Sequence, residues 1–409
     1  MSVRRIANPF RPGAGHMPMY LAGRATEVKE FKKLLDQGVI LENLILTGLR
    51  GTGKTVLLDT LKPIAMNAKW YWVGSDLSES ASVSEDRIAT RLLVDLAAIS
   101  SSIDINVGTT TKLGFGAEQK TTSTKLDYGV LRLVFDQTPG LVSDKLKYVL
   151  ELVWSFMNNS STSGVVFAYD EAQNLSDRHA AKNEYPLSLL LDVFQSIQKK
   201  GIPFMLALSG LPTLFPNLVE SRTFAERMFH VLTLDRLNEK DSRDAILKPI
   251  AESKCGLTLF NHEISNMFKY SGGYPYFIQF LGREAFDLAI PQHEKGRHIT
   301  KIPFDAIMRK LDIDFYSGRW SKATDRQRAL LSVIARLESR NGEFTVQQIS
   351  ERSKQLLPKP FSPSHANQIL TKLIEAGLIY KNRHGKYAYA VPLLGDFVLR
   401  LERREGVPE

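Results

Sequence analysis

The octet Gly48-Leu49-Arg50-Gly51-Thr52-Gly53-Lys54-Thr55 constrains this chain more than any other stretch. It has the form G-x-x-x-x-G-K-[ST], with the apolar run Leu44-Ile45-Leu46-Thr47 before it and a helical pattern after it. In that setting the glycines let successive backbone N–H groups point at one phosphate, and the N-terminus of the following helix adds its dipole. Gly48, Gly51 and Gly53 give the loop its shape, while Arg50 and Thr52 contribute side chains and backbone. Lys54 reaches phosphate oxygens as a point charge, and the Thr55 hydroxyl is a Mg²⁺ ligand by type.

A strand feeding such a loop predicts a parallel sheet covered by helices. Further strands are expected at Trp70 to Val73, Val165 to Tyr169, Phe204 to Leu208 and Val231 to Leu234, with helical spacing between them, so the class is α/β with both faces covered. Val165-Val166-Phe167-Ala168-Tyr169 ends in Asp170-Glu171, two acids at a strand terminus. Asp170 is expected in the Mg²⁺ shell with Thr55, and Glu171 as the general base that polarises an attacking water. A guanine reader would have to follow Asp170; Thr124-Lys125-Leu126-Asp127 precedes it, so ATP is the expected nucleotide. Ile103 to Thr124, rich in Thr and Gly with local alternation (Ile105, Val107; Leu113, Phe115), predicts a projecting hairpin.

After Leu234 the pattern is helical to about Trp320. Then Ala329, Leu330, Val333, Ile334 and Leu337 form one apolar stripe, Val346 and Ile349 a second, and Ala366, Ile369, Leu370, Leu373 and Ile374 a third. Leu378 to Lys381 and Lys386 to Val391, joined by Asn382-Arg383-His384-Gly385, read as a hairpin. Three helices and a hairpin make a winged helix-turn-helix. Composition sets outer bounds: 409 residues, 43% hydrophobic and 24% charged, suit two or three globular domains. The single cysteine, Cys255, excludes an intrachain disulfide and points to a reducing, cytoplasmic setting. The Met1 to Arg5 stretch with Pro9 and Pro12 is no signal peptide, and no apolar run nears the roughly 18 residues of a membrane span. The net charge of +9 divides into +6 over residues 1–75, −3 over 76–319 and +6 over 320–409. Basic ends are compatible with nucleic acid, and equally with solubility.

With these motifs the chain resembles the AAA+ ATPases, in the branch containing the Orc1/Cdc6-like initiators and related bacterial and archaeal ATPases. The resemblance runs from about Asn8 to the C-terminus. It implies an αβα core over 1–236 with an insertion at about 78–160, a helical lid over 237–319 and a winged-helix domain over 320–409. Leu21-Ala22-Gly23-Arg24 with Glu27 matches the segment near adenine, so Gly23 and Arg24 join the expected nucleotide contacts. Ser209 stands where a polar residue senses γ-phosphate. Arg227, with Arg222 second, stands where an arginine finger serves a neighbouring subunit, which implies a homo-oligomer; a charge that merely complements a helix end is the plainer alternative. Where the initiators carry a second-sensor arginine, this chain reads Ser271-Gly272-Gly273-Tyr274-Pro275-Tyr276. Gly273-Tyr274-Pro275 resembles the G-x-P of STAND signalling ATPases, which places Pro275 against the nucleotide and implies a slow switch; Arg283, two turns further along the same helix, is a candidate substitute cation, with a plain surface charge the favoured reading. In the winged helix, His365, Gln368 and Lys372 are expected on the free helix face, and Lys381, Arg383 and Lys386 on the wing, a set suited to duplex DNA or to a protein partner. Two readings follow: a DNA-associated ATP switch, or a STAND-like signalling or defence ATPase whose winged helix is a regulatory module.

Overall fold

A computed structural model describes residues 6–13, 15–113, 116–158, 161–296, 301–383 and 385–406, with backbone alone at 104–124 and 179. Phe115, His384 and Met1 to Arg5, named above, lie outside the described residues. The five expected strands form one parallel sheet: β1 (Asn43–Thr47), β2 (Trp70–Val73), β5 (Gly164–Tyr169), β6 (Phe204–Gly210) and β7 (Phe229–Thr233), in the order β2-β5-β6-β1-β7. β1, β5 and β6 are buried along their whole length, which is why they read as unbroken apolar runs. Alternate side chains divide between two cores. Leu44, Leu46, Val166, Ala168 and Ala207 pack under the helices Ala25–Leu35 and Lys54–Asn67, while Ile45, Val165, Phe167, Leu206 and Leu208 pack under Glu85–Ser100, Val142–Met157 and Pro186–Lys199.

Between β2 and β5, β3 (Asp104–Leu113) pairs antiparallel with β4 (Gly116–Lys125), from Asp104↔Lys125 to Leu113↔Gly116, so the expected hairpin is present. Its base is pinned where the Ser100 hydroxyl donates to the Leu126 carbonyl at 2.6 Å. The Thr124-Lys125-Leu126-Asp127 stretch is structural: Leu126 is buried, and Asp127 caps the helix Tyr128–Gln137 by accepting from the Val130 N–H at 3.0 Å.

Helices Glu239–Glu252, Asn261–Ser271, Pro275–Glu294 and Phe304–Leu311 follow, and a π-helical turn at Asp312–Ser317 leads into the C-terminal unit. There the helices Asp325–Ala335, Val346–Leu356 and Pro363–Glu375 precede the hairpin of β8 (Ile379–Arg383) and β9 (Lys386–Tyr389), and a last helix covers Leu394–Arg404. All three expected stripes face inward. One continuous hydrophobic cluster joins the helical segment to this unit. At the junction Tyr316 stacks on Phe397 at 4.8 Å and donates its hydroxyl to the Pro392 carbonyl at 2.9 Å. Asp312, 2% exposed, receives Arg400 at 2.6 Å and Arg404 at 2.9 Å. Cys255 is buried, and among the described residues no helix is long and apolar enough to cross a membrane.

Candidate functional site

The octet forms the loop between β1 and the helix Lys54–Asn67, with Gly51 and Gly53 in left-handed backbone at φ 77° and 89°. Gly48 is needed for close approach, because a Cβ there would sit 2.5 Å from the Leu234 carbonyl oxygen. Lys54 is 8% exposed, and its ammonium donates to the carbonyls of Gly48 at 2.9 Å and Leu49 at 3.0 Å. Burial holds its pKa below the ordinary lysine value; the Glu171 and Asp170 carboxylates work against that shift, and Arg50 adds to it.

The acids meet the loop from β5. The Thr55 hydroxyl donates to Asp170 Oδ2, and Asp170 Oδ1 accepts the Glu171 N–H at 2.8 Å. This hydroxyl and carboxylate are an oxygen pair that fits Mg²⁺, which takes one or two protein oxygens and completes its shell with phosphate and water. Among the described residues no cluster of three or more His, Cys, Asp or Glu could hold a metal by itself. Glu171 is exposed in left-handed backbone, φ 50° and ψ 34°, a conformation that a non-glycine residue keeps only where its surroundings impose it. Gln173, which sequence reasoning did not single out, donates to Glu171 Oε2 and accepts the Leu211 N–H at 3.0 Å, tying the acid to the end of β6. Ser209 is fully buried, with no hydrogen-bond partner for its hydroxyl among the described residues. The register Leu46↔Ser209 sets it one level below the loop, where the Gly48 N–H to Gly210 carbonyl bond of 3.3 Å closes over it, and it does not line the cleft.

The cleft at this loop measures about 820 Å³. Arg50 through Thr55, Glu171, Gln173 and the expected Pro275 line it, and residues of the N-terminal segment, from Arg11 to Gly13 and from Gly15 to Ala22, form one wall. Asn8 anchors that segment to the helix Pro275–Glu294, donating to the Arg283 carbonyl at 3.0 Å and to Asp287 at 2.8 Å. Arg24 is buried and holds the loop from behind, donating to the carbonyls of Thr52 at 2.9 Å and Asp235 at 2.8 Å; it also lines the cleft. Gly23 does not: its φ of 64° and a Cβ position 2.8 Å from Asp241 make it a packing glycine. Nor does the Arg283 side chain, which is half-exposed beside Asp287 at 4.0 Å. Arg319, from the short helix Gly318–Trp320 that follows the π-helical turn, also lines the cleft, together with Asp314 and Phe315 of that turn. Arg319 lies over the Phe315 ring at 4.8 Å, and burial, then the charge of Arg50, pushes its pKa below the usual arginine value. A larger cleft, about 1080 Å³, lies behind the same loop against β7, Asn341 and Asn382, and holds neither acid.

Solved structures of this architecture exist. The Aeropyrum pernix ORC2 protein in its ADP form is 14% identical to this chain with a TM-score of 0.53, covering 97% of this chain and 98% of that one. The same ORC2 protein with ADPNP and ADP gives 14% identity and a TM-score of 0.51 over 100% and 99%. This chain has the AAA+ fold. The Aeropyrum pernix ORC1 protein in complex with DNA is also similar, at 15% identity, TM-score 0.45 and 95% coverage of both chains. A family model described as a domain of unknown function, DUF8462, matches residues 314–398. No curated protein matches the sequence.

On this AAA+ core the two arginines near β7 differ. Arg222 is held within its own chain, with both Nε and Nη2 on the Asp192 carboxylate at 2.8 and 2.7 Å and Nη1 on the Ser188 hydroxyl at 2.8 Å. Arg227, at the end of the short helix Ala225–Met228, is exposed and makes no ion pair among the described residues. In the C-terminal unit Lys372 and Lys381 are exposed and Lys386 is half-buried, whereas Arg383 is bound by Glu343 at 2.7 and 3.0 Å. Gln368 is exposed, and half-buried His365 packs against Phe361 at 5.5 Å.

Proposed function

We propose that this protein is an ATP-binding and ATP-hydrolysing AAA+ switch, associated with duplex DNA, whose nucleotide state governs self-assembly. The observation that carries the reading is the convergence of Lys54, Thr55 and Glu171 on one cleft, with Asp170 held just behind it by the Thr55 hydroxyl and with the N-terminal segment and Arg319 on its walls. The working division is core 1–236, lid 237–319 and winged helix 320–409. Loop N–H groups and Lys54 bind the β- and γ-phosphates, while Arg50 and Arg319 flank the polyphosphate. Bound Mg²⁺ would supply charge neutralisation there. Glu171 accepts a proton from water as the water oxygen bonds to the γ-phosphorus and the bond to the ADP oxygen breaks. Arg227 of a neighbouring subunit would neutralise charge on the transferred group. Ser209 joins the site only if nucleotide binding opens the strand end above it.

Lys54→Ala should weaken ATP affinity by on the order of 100-fold, the worth of a charge-assisted phosphate contact at about 3 kcal/mol, as read by calorimetric titration. Affinity in the unmodified protein should fall as pH rises through the depressed Lys54 pKa, since only the ammonium form binds phosphate. The reading as a whole is tested by mass in solution with ATP and with ADP, with and without duplex DNA. ATP should shift the protein to an oligomer, and duplex should bind. Lys381→Ala with Lys386→Ala should then reduce the slope of log affinity against log salt by about 2. An unchanged mass in every state removes the assembly switch, and absence of DNA binding at moderate salt removes the DNA role.

A second reading is supported by the contact between the C-terminal unit and the loop, where the Gly377 Cβ position lies 3.8 Å from Arg50 Nη2. In a STAND-like signalling ATPase this contact would be a brake, and a protein would replace DNA as the partner.

A further inference from the structure

A buried polar cluster lies directly behind the two acids. Tyr169, the last residue of β5, is fully buried and points with Val165 and Phe167 to the sheet face opposite the phosphate loop. Its hydroxyl donates to Asp95 Oδ2 at 2.8 Å. Asp95 is 4% exposed on the helix Glu85–Ser100 and also accepts Arg91, Nε at 2.9 Å and Nη2 on the other oxygen. The surrounding side chains belong to an apolar core. A buried carboxylate is costly to desolvate, and phenylalanine at 169 with an apolar residue at 95 would fill the same space without that cost. Burial, with the Asp95 charge beside it, keeps the Tyr169 hydroxyl protonated as the donor, far above the ordinary tyrosine range.

Two residues further on, Glu171 holds its left-handed backbone. A residue in that conformation stays there only while both flanks are fixed. Thr55 fixes Asp170 and Gln173 fixes the far side, and Tyr169 is the anchor on the near side. We propose that Tyr169, held by Asp95 and Arg91, is a positioning residue for Glu171, fixing the turn that presents the acid to water. The inference rests on the hydrolytic reading above. It also gives the β3–β4 hairpin a route to the site. That hairpin leaves the same helix about one turn beyond Asp95 and is tied to it by the Ser100–Leu126 bond.

The test compares Tyr169→Phe and Asp95→Asn with the unmodified protein, well below each variant's melting temperature. Tyr169→Phe keeps the ring and loses the anchor. It should lower kcat on the order of 10-fold with ATP affinity unchanged. Amide exchange of Asn174 and Leu175, which bond to the carbonyls of Glu171 and Ala172, should also rise on the order of 10-fold. Asp95→Asn still offers an acceptor and should keep kcat within about threefold. Unchanged kcat in Tyr169→Phe, a loss of kcat without faster exchange, or an Asp95→Asn loss as large as that of Tyr169→Phe would each overturn the proposal. Glu171→Gln is the control: if it hydrolyses ATP at the unmodified rate, Glu171 lies outside the chemistry and the assignment on which this proposal rests has failed, whatever Tyr169→Phe does.

Discussion

Glu171→Gln should lower kcat on the order of 10³-fold while leaving ATP affinity within about twofold. Glutamine matches the side chain in size and still offers an oxygen to Gln173, so the left-handed turn is retained and only the capacity to take a proton is lost. Binding does not need that capacity, because Lys54 and the loop N–H groups act on phosphate oxygens. Phosphate release under single-turnover conditions reads the chemical step, and calorimetric titration reads affinity. The variant should also hold ATP long enough for its mass to report the triphosphate state. Hydrolysis at the unmodified rate would remove Glu171 from the chemistry.

Arg227→Ala should have a comparable effect by another route, a fall in hydrolysis on the order of 10³-fold with no change in melting temperature. The side chain is exposed and makes no ion pair among the described residues, so its loss leaves the fold intact. Mixing supplies the decisive arm. A Glu171→Gln subunit still presents Arg227, and an Arg227→Ala subunit still has Glu171, so the two inactive variants should regain part of the activity when combined. Arg222→Ala should not behave this way, because its guanidinium is occupied by Asp192 and Ser188 and its loss is a loss of stability. No recovery on mixing would place Arg227 outside the active assembly.

Much of this was legible from the sequence because its determinants are local. The five strands are short apolar runs, the octet is contiguous, and Asp170-Glu171 ends one of the runs. Capping chemistry is local too: the Ser362 side chain caps the helix Pro363–Glu375, and Pro275 stands at the first turn of its own helix. What escaped depends on contacts between distant residues. Arg319 lines the cleft from the short helix after a π-helical turn, and no side-chain periodicity announces such a turn. Gly23 was expected at the nucleotide, yet it packs against Asp241, and its neighbour Arg24 is the one that braces the loop. Arg222 and Arg227 look alike in the chain, and only the position of Asp192 on another helix tells them apart. Gln173 stood in view beside Glu171, but its second partner, the Leu211 amide, belongs to a strand end far along the chain.

The shared core at Tyr316 has a mechanical consequence. With Asp312 buried against Arg400 and Arg404, the C-terminal unit and the helices before it behave as one lever, and the stiff joint moves any pivot back toward Leu237, where the lever meets the core. The helix Pro275–Glu294 has 20 residues, about 30 Å of arm. A rotation of about 10° at the pivot therefore sweeps the far end by about 5 Å, nearly one helical turn. An adjustment around a phosphate is thereby read at the far end of this helix as a change of register, with the amplification set by arm length rather than by a flexible linker.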